Sequence, residues 1–291
     1  MPKVTVEQLN DDGSPLDGGT VTLATIDPFK DYLSLPGTNW STLSPMAVSP
    51  KNYRWAKDHP RPDKTSLALG RKIHTATLEP DEFAKRYVFR PSKWDSWRTK
   101  AAKKWRDDQH AEGREVLDDS ESGIIESVRA SIADHPKASE LIDETKHEVT
   151  VQWVDEETGV ECKARLDMLD WTKAGDLKTT RDLARFGPDF AKYLYQGQCA
   201  FYRDGAVAAG KLDPNATCYV VPVETNAPYD VGRLVVTEPT LEAGRNLYRS
   251  CLHQLLSCRE TGHWPGMFPE DGYINLPPWA AGVRPDEEET F

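Results

Sequence analysis

Residues 160–180 read VECKARLDMLDWTKAGDLKTT and contain two runs that are typical of β-strands. Successive side chains of a strand point to opposite faces, so Asp176 and Lys178 share one face while Leu177 lies on the other. Asp167 belongs to the preceding run. If the two strands are neighbours, two carboxylates and one ammonium group converge at one place in the sheet.

The residues on either side of this stretch predict an α/β fold with a central mixed sheet flanked by helices. Residues 146–154 alternate between apolar and polar side chains, as a strand with one buried face does. After the Asp-Leu-Lys triplet, residues 188–210 have the pattern of one long helix, and CYVVPVE and RLVVTEP follow as strands. A last helix is predicted from about residue 241 to residue 261.

The residues before the predicted sheet are mainly helical in pattern. Three of their segments carry signals for the start of a helix, namely SPKNYRWAKDH, TSLALGRKIHTATLEPDEF and DSESGIIESVRASIADH. Between them, WDSWRTKAAKKWRDDQHAEGRE is charged on nearly all sides and predicts a solvated helix or a mobile insertion.

The composition is typical of a soluble globular protein, with 29% charged and 38% hydrophobic residues among 291. The net charge of -11 argues against a surface that is basic throughout, although a local basic channel is compatible with it. No apolar run approaches the roughly 20 residues that span a bilayer. The amino terminus lacks the apolar region of a secretion signal. We therefore expect a cytoplasmic protein without a membrane partner.

The five cysteines are odd in number and scattered, and no two of them form a Cys-x-x-Cys pair. This pattern argues against a disulfide framework and against a zinc knuckle, so we expect thiols that pack in the core. The cysteines are Cys162, Cys199, Cys218, Cys251 and Cys258.

The charged groups of the two central strands suit the hydrolysis of a phosphodiester. Mg²⁺ or Mn²⁺ neutralises phosphate and is held by carboxylate and carbonyl oxygens, which Asp167, Asp176 and the main-chain carbonyl of Leu177 could supply. Lys178 could orient or deprotonate the attacking water. Glu148 adds a third carboxylate on the strand before. A surface sheet with ordinary ion pairs would show the same triplet, and this alternative stays open at the level of the triplet alone.

Several separate motifs together resemble a known group of enzymes. They are GRKIHTATLEP, HEVTVQWVDEETGVECKARLD, GDLKTT and YQGQCAFYRDG, preceded by WSTLSPMAVSPKNY and followed by HWPG and LPPWA. Their order and spacing resemble the PD-(D/E)XK nuclease superfamily, and within it the phage and prophage exonucleases of the RecE or exonuclease VIII type. The resemblance covers about residues 40–279 and implies a restriction-endonuclease-like core.

The resemblance also implies roles for the charged residues. His74 matches a metal-ligating histidine in a Gly-x-x-x-His helix, although a lone helix histidine is more often structural. Asp167 and Asp176 match the two metal-binding carboxylates, and Lys178 matches the catalytic lysine. Glu148 matches a family glutamate near the metals or the water.

Further positions of the family pattern concern the substrate strand. Gln198 and Tyr202 match a Gln-x-x-x-Tyr helix motif that helps position that strand. Thr179 and Thr180 follow the lysine, where one hydroxyl braces the active-site strand. Ala164 stands where the family usually has glycine, a mild departure. Some superfamily members hold an iron–sulfur cluster through a cysteine before the core, and no cysteine precedes Cys162, so we expect no cluster.

The terminal 5′ phosphate of a DNA strand would need cationic or hydroxyl partners. The candidates are Arg165, Arg181 and Arg185, which are near the site in sequence, and Ser41, which is chosen by its motif position. Arginine suits bidentate phosphate contacts.

These expectations divide the chain into four parts. Residues 1–20 form a flexible arm, residues 21–145 a mainly helical part that contributes the metal-ligand histidine, residues 146–280 the nuclease core, and residues 281–291 an acidic tail.

The leading hypothesis is a Mg²⁺-dependent exonuclease that degrades one strand of linear double-stranded DNA from its 5′ end. It would leave 3′ overhangs for a single-strand annealing protein of the RecT type. The resemblance further implies a homo-oligomeric ring and a phage or prophage origin. Two alternatives stay open, namely an endonuclease or single-strand repair nuclease of the same superfamily, and a catalytically silent DNA-binding subunit.

Overall fold

A computed structural model describes residues 32–59, 65–94, 96–271 and 274–276. The predicted arm at residues 1–20 and the predicted acidic tail at residues 281–291 lie outside the described residues, as does most of the LPPWA motif. The division of the chain at residues 145 and 280 stays a prediction.

The strands of the main sheet follow one another in the order that the sequence pattern predicts. The described helices are α1 (Trp40–Leu43), α2 (Pro50–Asp58), α3 (Thr65–Leu78), α4 (Pro80–Arg86), α5 (Lys100–Ala111), α6 (Asp119–Asp134), α7 (Pro136–Asp143), α8 (Phe186–Lys192), α9 (Tyr195–Ala208) and α10 (Glu238–Thr261). The strands are β1 (Tyr87–Phe89), β2 (Glu115–Leu117), β3 (Lys146–Val154), β4 (Glu161–Leu169), β5 (Lys173–Thr180), β6 (Thr217–Glu224) and β7 (Leu234–Val235).

The main sheet has five strands in the order β3-β4-β5-β6-β7. The β5–β6 pair is parallel and the other neighbouring pairs are antiparallel. Strands β1 and β2 form a separate parallel pair that the sequence pattern did not reveal. The α/β class, the mixed sheet and the preceding helical region are therefore confirmed.

Two of the predicted helix starts are capped as the sequence indicates. The Ser49 hydroxyl accepts a hydrogen bond from the Asn52 amide at 3.1 Å, and Pro50 begins α2. Asp118 caps α6 by accepting from the Glu121 amide at 2.7 Å.

Helices cover both faces of the sheet. On one face, Leu166 and Val220 pack in a core with residues of α1, α9 and α10. On the other face, Leu177 and Val221 pack with residues of α3, α4, α6 and α7. All five cysteines are buried free thiols, as predicted, and four of them lie in the first core: Cys162, Cys199, Cys218 and Cys251. Among the described residues, no helix combines the length and the apolarity that crossing a bilayer requires.

The single long helix predicted over residues 188–210 is wrong, because α8 ends at Lys192 and α9 begins at Tyr195. Leu194 between them adopts φ +58°, a left-handed conformation that cannot continue a right-handed helix. Phe186, Phe190 and Tyr195 pack their rings together around the break. The change of direction is therefore held by aromatic packing and gives α9 its own orientation against the sheet.

Helices α9 and α10 cross at a contact that only glycine permits. A Cβ atom on Gly244 would lie 2.0 Å from the carbonyl oxygen of Gln196, which is backbone and has no other rotamer to adopt. On the opposite side of α9, a Cβ on Gly205 would lie 2.4 Å from the Trp153 ring. The position of α9, which contributes to the site described below, therefore depends on these close approaches.

We predict that Gly244→Ala lowers the free energy of unfolding by about 1–3 kcal/mol or more, because the added methyl group overpacks a backbone contact. The control is Gly123→Ala on α6, where an added Cβ meets nothing within 4 Å. That change should raise stability by up to about 1 kcal/mol, since alanine is the better helix former. Urea denaturation measures both. Equal stability of Gly244→Ala and the wild type would mean that α9 and α10 are free to separate.

Candidate active site

The pairing of the central strands is interrupted at one level of the sheet. Strands β4 and β5 pair through Met168↔Gly175 and Leu169↔Ala174, and this register ends before Asp167 and Asp176. On the other side of β4, the register with β3 passes from His147↔Met168 to Val149↔Leu166 and omits Glu148, which stands opposite Asp167. Three carboxylates therefore lie where the sheet opens.

The backbone at Glu148 is strained. Its φ of +53° is in the left-handed region, which a non-glycine residue inside a strand rarely adopts. Such a conformation costs on the order of 1–3 kcal/mol and persists only where the surrounding structure imposes it. Strain of this kind is concentrated at functional sites, and here it coincides with the break in strand pairing.

Helix α3 brings His74 to the same place. A Cβ on Gly70 would lie 3.2 Å from the Thr179 hydroxyl, so the helix packs close to β5 at this glycine. One turn later on the same face of the helix, His74 Nδ1 lies 3.5 Å from Asp167 Oδ2. In the Gly-x-x-x-His motif, Gly70 therefore allows α3 to approach β5, and His74 one turn later is a candidate metal ligand.

His74, Glu148 and Asp167 form a donor set that suits a metal ion. Their ligand atoms all lie within 4.8 Å of one another. The main-chain amide of Leu177 donates a hydrogen bond of 2.8 Å to Asp167 Oδ2 and so orients this carboxylate. The Leu177 carbonyl as a metal ligand stays a prediction.

Asp176 and Lys178 form an ion pair on the same face of β5, as the strand parity predicts. Both are held from α9. The Gln198 side-chain amide donates to Asp176 Oδ1 at 2.9 Å, and the Lys178 ammonium lies 4.8 Å from the centre of the Tyr195 ring. Gln198 of the Gln-x-x-x-Tyr motif therefore contacts an active-site carboxylate in this structure. The predicted contact of the motif with the substrate strand stays a prediction.

Burial and mutual repulsion shift the proton affinity of these groups. Burial, followed by the nearby Asp167 carboxylate, raises the pKa of Glu148 to about 8. Burial likewise raises the pKa of Asp176 to about 6, although Lys178 opposes the shift. For Lys178, burial lowers the pKa, but Asp176 and Asp167 outweigh it and leave the pKa above its ordinary value. Ionising these carboxyl groups together is therefore unfavourable unless a further cation is present, and a divalent ion fits this donor set.

Arg165 is buried and lies between two carboxylates. Its Nε atom is 2.5 Å from Glu148 Oε2, and its terminal nitrogen donates to Glu79 Oε1 at 3.1 Å. The Arg165 guanidinium therefore contacts two carboxylates of the protein itself. Its contact with a DNA phosphate stays a prediction. Glu79 and Tyr195 were not singled out from the sequence. The sequence signal that could have drawn attention to Glu79 is its position directly before Pro80, at the boundary between α3 and α4.

The described contacts of the remaining predicted residues do not include the carboxylates of this centre. The Ser41 hydroxyl donates to the Asn39 side chain at 2.9 Å, within the cap of α1. The Thr180 hydroxyl donates to the Asp182 carbonyl at 3.2 Å. Arg181 and Arg185 are exposed at the end of β5. Their roles in binding substrate stay predictions.

Residues 41–274 match the family described as "PDDEXK-like domain of unknown function (DUF3799)". The chain belongs to this PDDEXK-like family. The predicted membership of the PD-(D/E)XK superfamily is thereby confirmed. None of the curated protein sequences matches the chain.

A solved structure shares the fold of this PDDEXK-like domain. It is the crystal structure of a "Putative exonuclease" from Eubacterium rectale, which is similar over 81% of this chain and 88% of its own, with a TM-score of 0.57. The sequence identity is 13%, so this likeness shows the fold alone. Together, the family and the fold support a nuclease.

The raised pKa of Glu148 predicts how the stability of the metal-free PDDEXK-like domain depends on pH. The folded protein binds this proton more tightly than the unfolded chain, so the stabilisation is complete below about pH 4.5 and is lost as the pH rises through about 8. In EDTA, stability should fall between about pH 5.5 and 8.5. Glu148→Gln should remove roughly 2–4 kcal/mol of this difference.

The matched control is Glu82→Gln, because Glu82 has a similar exposure but a pKa lowered first by Lys85. Its carboxyl stays charged throughout this pH range, so the pH dependence should match the wild type. Urea denaturation at both pH values gives the comparison. An unchanged pH dependence in Glu148→Gln would place the Glu148 carboxylate outside the repulsive cluster.

Proposed function

We propose that this protein is a divalent-metal-dependent exonuclease that hydrolyses phosphodiester bonds of linear double-stranded DNA. The observation that carries the proposal is the gathering of three carboxylates, one histidine and one lysine where strand pairing ends in a PDDEXK-like domain. Folding does not require this arrangement, since the carboxylates repel one another and the backbone at Glu148 adopts a strained conformation.

Asp167, Glu148 and His74 would hold the cation, with Asp176 completing the carboxylate set. Hard Mg²⁺ prefers carboxylate oxygens, and Mn²⁺ accepts both these oxygens and the imidazole nitrogen. When bound, such an ion neutralises phosphate charge and lowers the pKa of a water molecule. The chain's own contribution is to fix the ligands through the Leu177 amide and the Gln198 side chain.

Lys178 is the chain's cation beside this centre. Its raised pKa keeps the side chain protonated at neutral pH, which suits an ammonium that donates hydrogen bonds to the attacking water or to a phosphate oxygen. Orientation of the attacking water and its deprotonation are the two roles proposed for Lys178 from the sequence, and both place the side chain beside that water. The Tyr195 ring under the ammonium and Asp176 beside it keep the charge in place.

The finer features of the proposal rest on the resemblance to RecE-type exonucleases and on the name of the Eubacterium rectale structure. We propose digestion from the 5′ end, with 3′ overhangs passed to an annealing protein of the RecT type. A homo-oligomeric ring would keep the DNA threaded between turnovers. The protein would act in the cytoplasm of a bacterial host, encoded by a phage or prophage.

We predict that linear duplex DNA labelled at its 5′ end loses the label to short products in Mg²⁺, while a 3′ label stays on a long strand. EDTA should stop the reaction, because the carboxylates alone carry no Lewis acid. Asp167→Asn and Asp176→Asn should abolish hydrolysis and keep the fold, which circular dichroism checks. Covalently closed circular duplex should stay intact.

Each alternative gives a different result in this assay. Cleavage of the closed circle would indicate an endonuclease, and preference for single strands would indicate a repair nuclease. Binding of duplex without cleavage under any divalent cation would indicate a silent DNA-binding subunit. Each of these results would contradict the proposed exonuclease.

We predict that Lys178→Ala separates binding from chemistry. The variant keeps its carboxylates, so the affinity for duplex in Ca²⁺ should stay within a few fold of the wild type. Single-turnover cleavage in Mg²⁺ should fall by roughly 10²- to 10⁴-fold, the usual scale for losing a positioned group that handles a proton.

The matched control is Lys173→Ala on the same strand, where the lysine pairs with Glu144 at the surface. A surface ion pair contributes little, so this variant should cleave at the wild-type rate. Near wild-type cleavage by Lys178→Ala would make Lys178 a structural cation. Complete loss of DNA binding would make its role electrostatic capture.

A further inference from the structure

The segment from Arg86 to Arg106 is strongly basic in an otherwise acidic chain. It contains eight lysine and arginine residues against one aspartate, while the whole chain carries a net charge of -11. We call it the basic segment. It contains the end of α4, the strand β1 and the first half of α5. Its residues from 94 onward belong to the stretch that was predicted as a solvated helix or a mobile insertion.

Tryptophan rings organise the cations of the basic segment. The Arg90 and Arg106 guanidinium groups lie 5.7 Å and 5.6 Å from the centre of the Trp97 ring. The Trp105 ring is stacked on Trp97 with 6.2 Å between centres and 10° between planes. Cation–π contacts of this kind hold long side chains in place. The Trp97 ring therefore fixes the positions of Arg90 and Arg106 relative to one another.

Within the described residues, an acidic partner is seen for half of these cations. Arg86, Arg90, Lys104 and Arg106 pair with Glu82, Asp119, Asp108 and Asp107. For the other four, the described part of the chain offers no carboxylate within 4.0 Å, and all four are exposed; they are Lys93, Arg98, Lys100 and Lys103. Exposed cations that lie close together in the chain without a described acidic partner create a positive field suited to a polyanion.

The basic segment is tied to the helix that carries His74. The Lys72 ammonium on α3 lies 2.7 Å from Glu115 of β2 and 2.7 Å from Glu121 of α6, and it contacts the ring of Tyr87 on β1. Because β1 pairs with β2, the start of the basic segment is anchored at this point, and so is the strand β2 that follows the segment in the chain. Lys72 precedes His74 by two positions, so one helix connects the cationic surface to the candidate active site.

We propose that the basic segment binds the phosphate backbone of duplex DNA away from the cleaved bond, an inference that rests on the proposed function. Lysine and arginine contact phosphates without regard to sequence, as an enzyme that digests any duplex requires. Guanidinium groups and a second indole already surround the Trp97 ring, which leaves it poorly placed to stack on bases. The surface therefore suits a backbone contact that keeps the duplex in register with the active site.

The test neutralises three unpaired cations in the variant Arg98→Gln/Lys100→Gln/Lys103→Gln. Affinity for a labelled blunt duplex in Ca²⁺ should fall at least about tenfold at low salt, and the slope of log affinity against log salt should shrink by about 2 to 3, close to one for each lost phosphate contact. Single-turnover cleavage at saturating DNA should stay at the wild-type rate, because these side chains do not touch the reacting phosphate.

The matched control is Lys57→Gln/Arg129→Gln/Arg259→Gln, which removes the same charge from exposed positions on α2, α6 and α10. Its salt slope should equal that of the wild type. Equal slopes for both triple variants would overturn the inference while leaving the proposed function intact. A change of oligomeric state with an unchanged slope would also overturn it, since another copy of the chain would then occupy the surface. A wild-type protein that neither binds nor cleaves duplex would overturn the proposed function and this inference together.

Discussion

Repulsion among buried carboxylates is the constraint on which the rest of this structure depends. Asp167 stands between Glu148 on one neighbouring strand and Asp176 on the other, and burial adds to the cost of charging all three. The fold offsets part of this cost by placing cationic side chains beside two of the carboxylates. Arg165 pairs with Glu148, and Lys178 pairs with Asp176. These contacts lower the repulsion among the carboxylates without removing it. The repulsion that remains would favour the binding of a cation at this place.

Helices from both faces of the sheet contribute side chains to the site where strand pairing is interrupted. Helix α3 approaches from one face, where Gly70 allows it close to β5 and His74 meets Asp167. Helix α9 approaches from the other face and supplies Gln198 to Asp176. Each helix is positioned by packing that involves no catalytic group, such as the crossing at Gly244. Stability and chemistry are thus linked through helix positions, so overpacking a distant glycine should disturb both.

Alternation along the strands sufficed to predict that the charged groups of β4 and β5 meet. Parity alone separates Leu177 from Asp176 and Lys178, and the structure buries the leucine completely. Parity could not predict the partners of Arg165, because Glu79 lies far away in the chain and approaches only when α3 packs on the sheet. The same holds for Gln198, whose contact depends on the break before α9. That break arises from the conformation of Leu194, a residue type with no preference for it.

The sequence by itself therefore determined the class of the fold, the order of its elements and the identity of the charged residues, since these follow from local periodicity and motif spacing. Only the tertiary structure decided which donors hold each carboxylate, how strongly burial raises the pKa of Glu148, and where the unpaired cations of the basic segment lie. The physical reason is that pairing and desolvation depend on groups brought together from distant parts of the chain. Local patterns specify which side chains a strand or helix presents, and packing between elements specifies what those side chains meet.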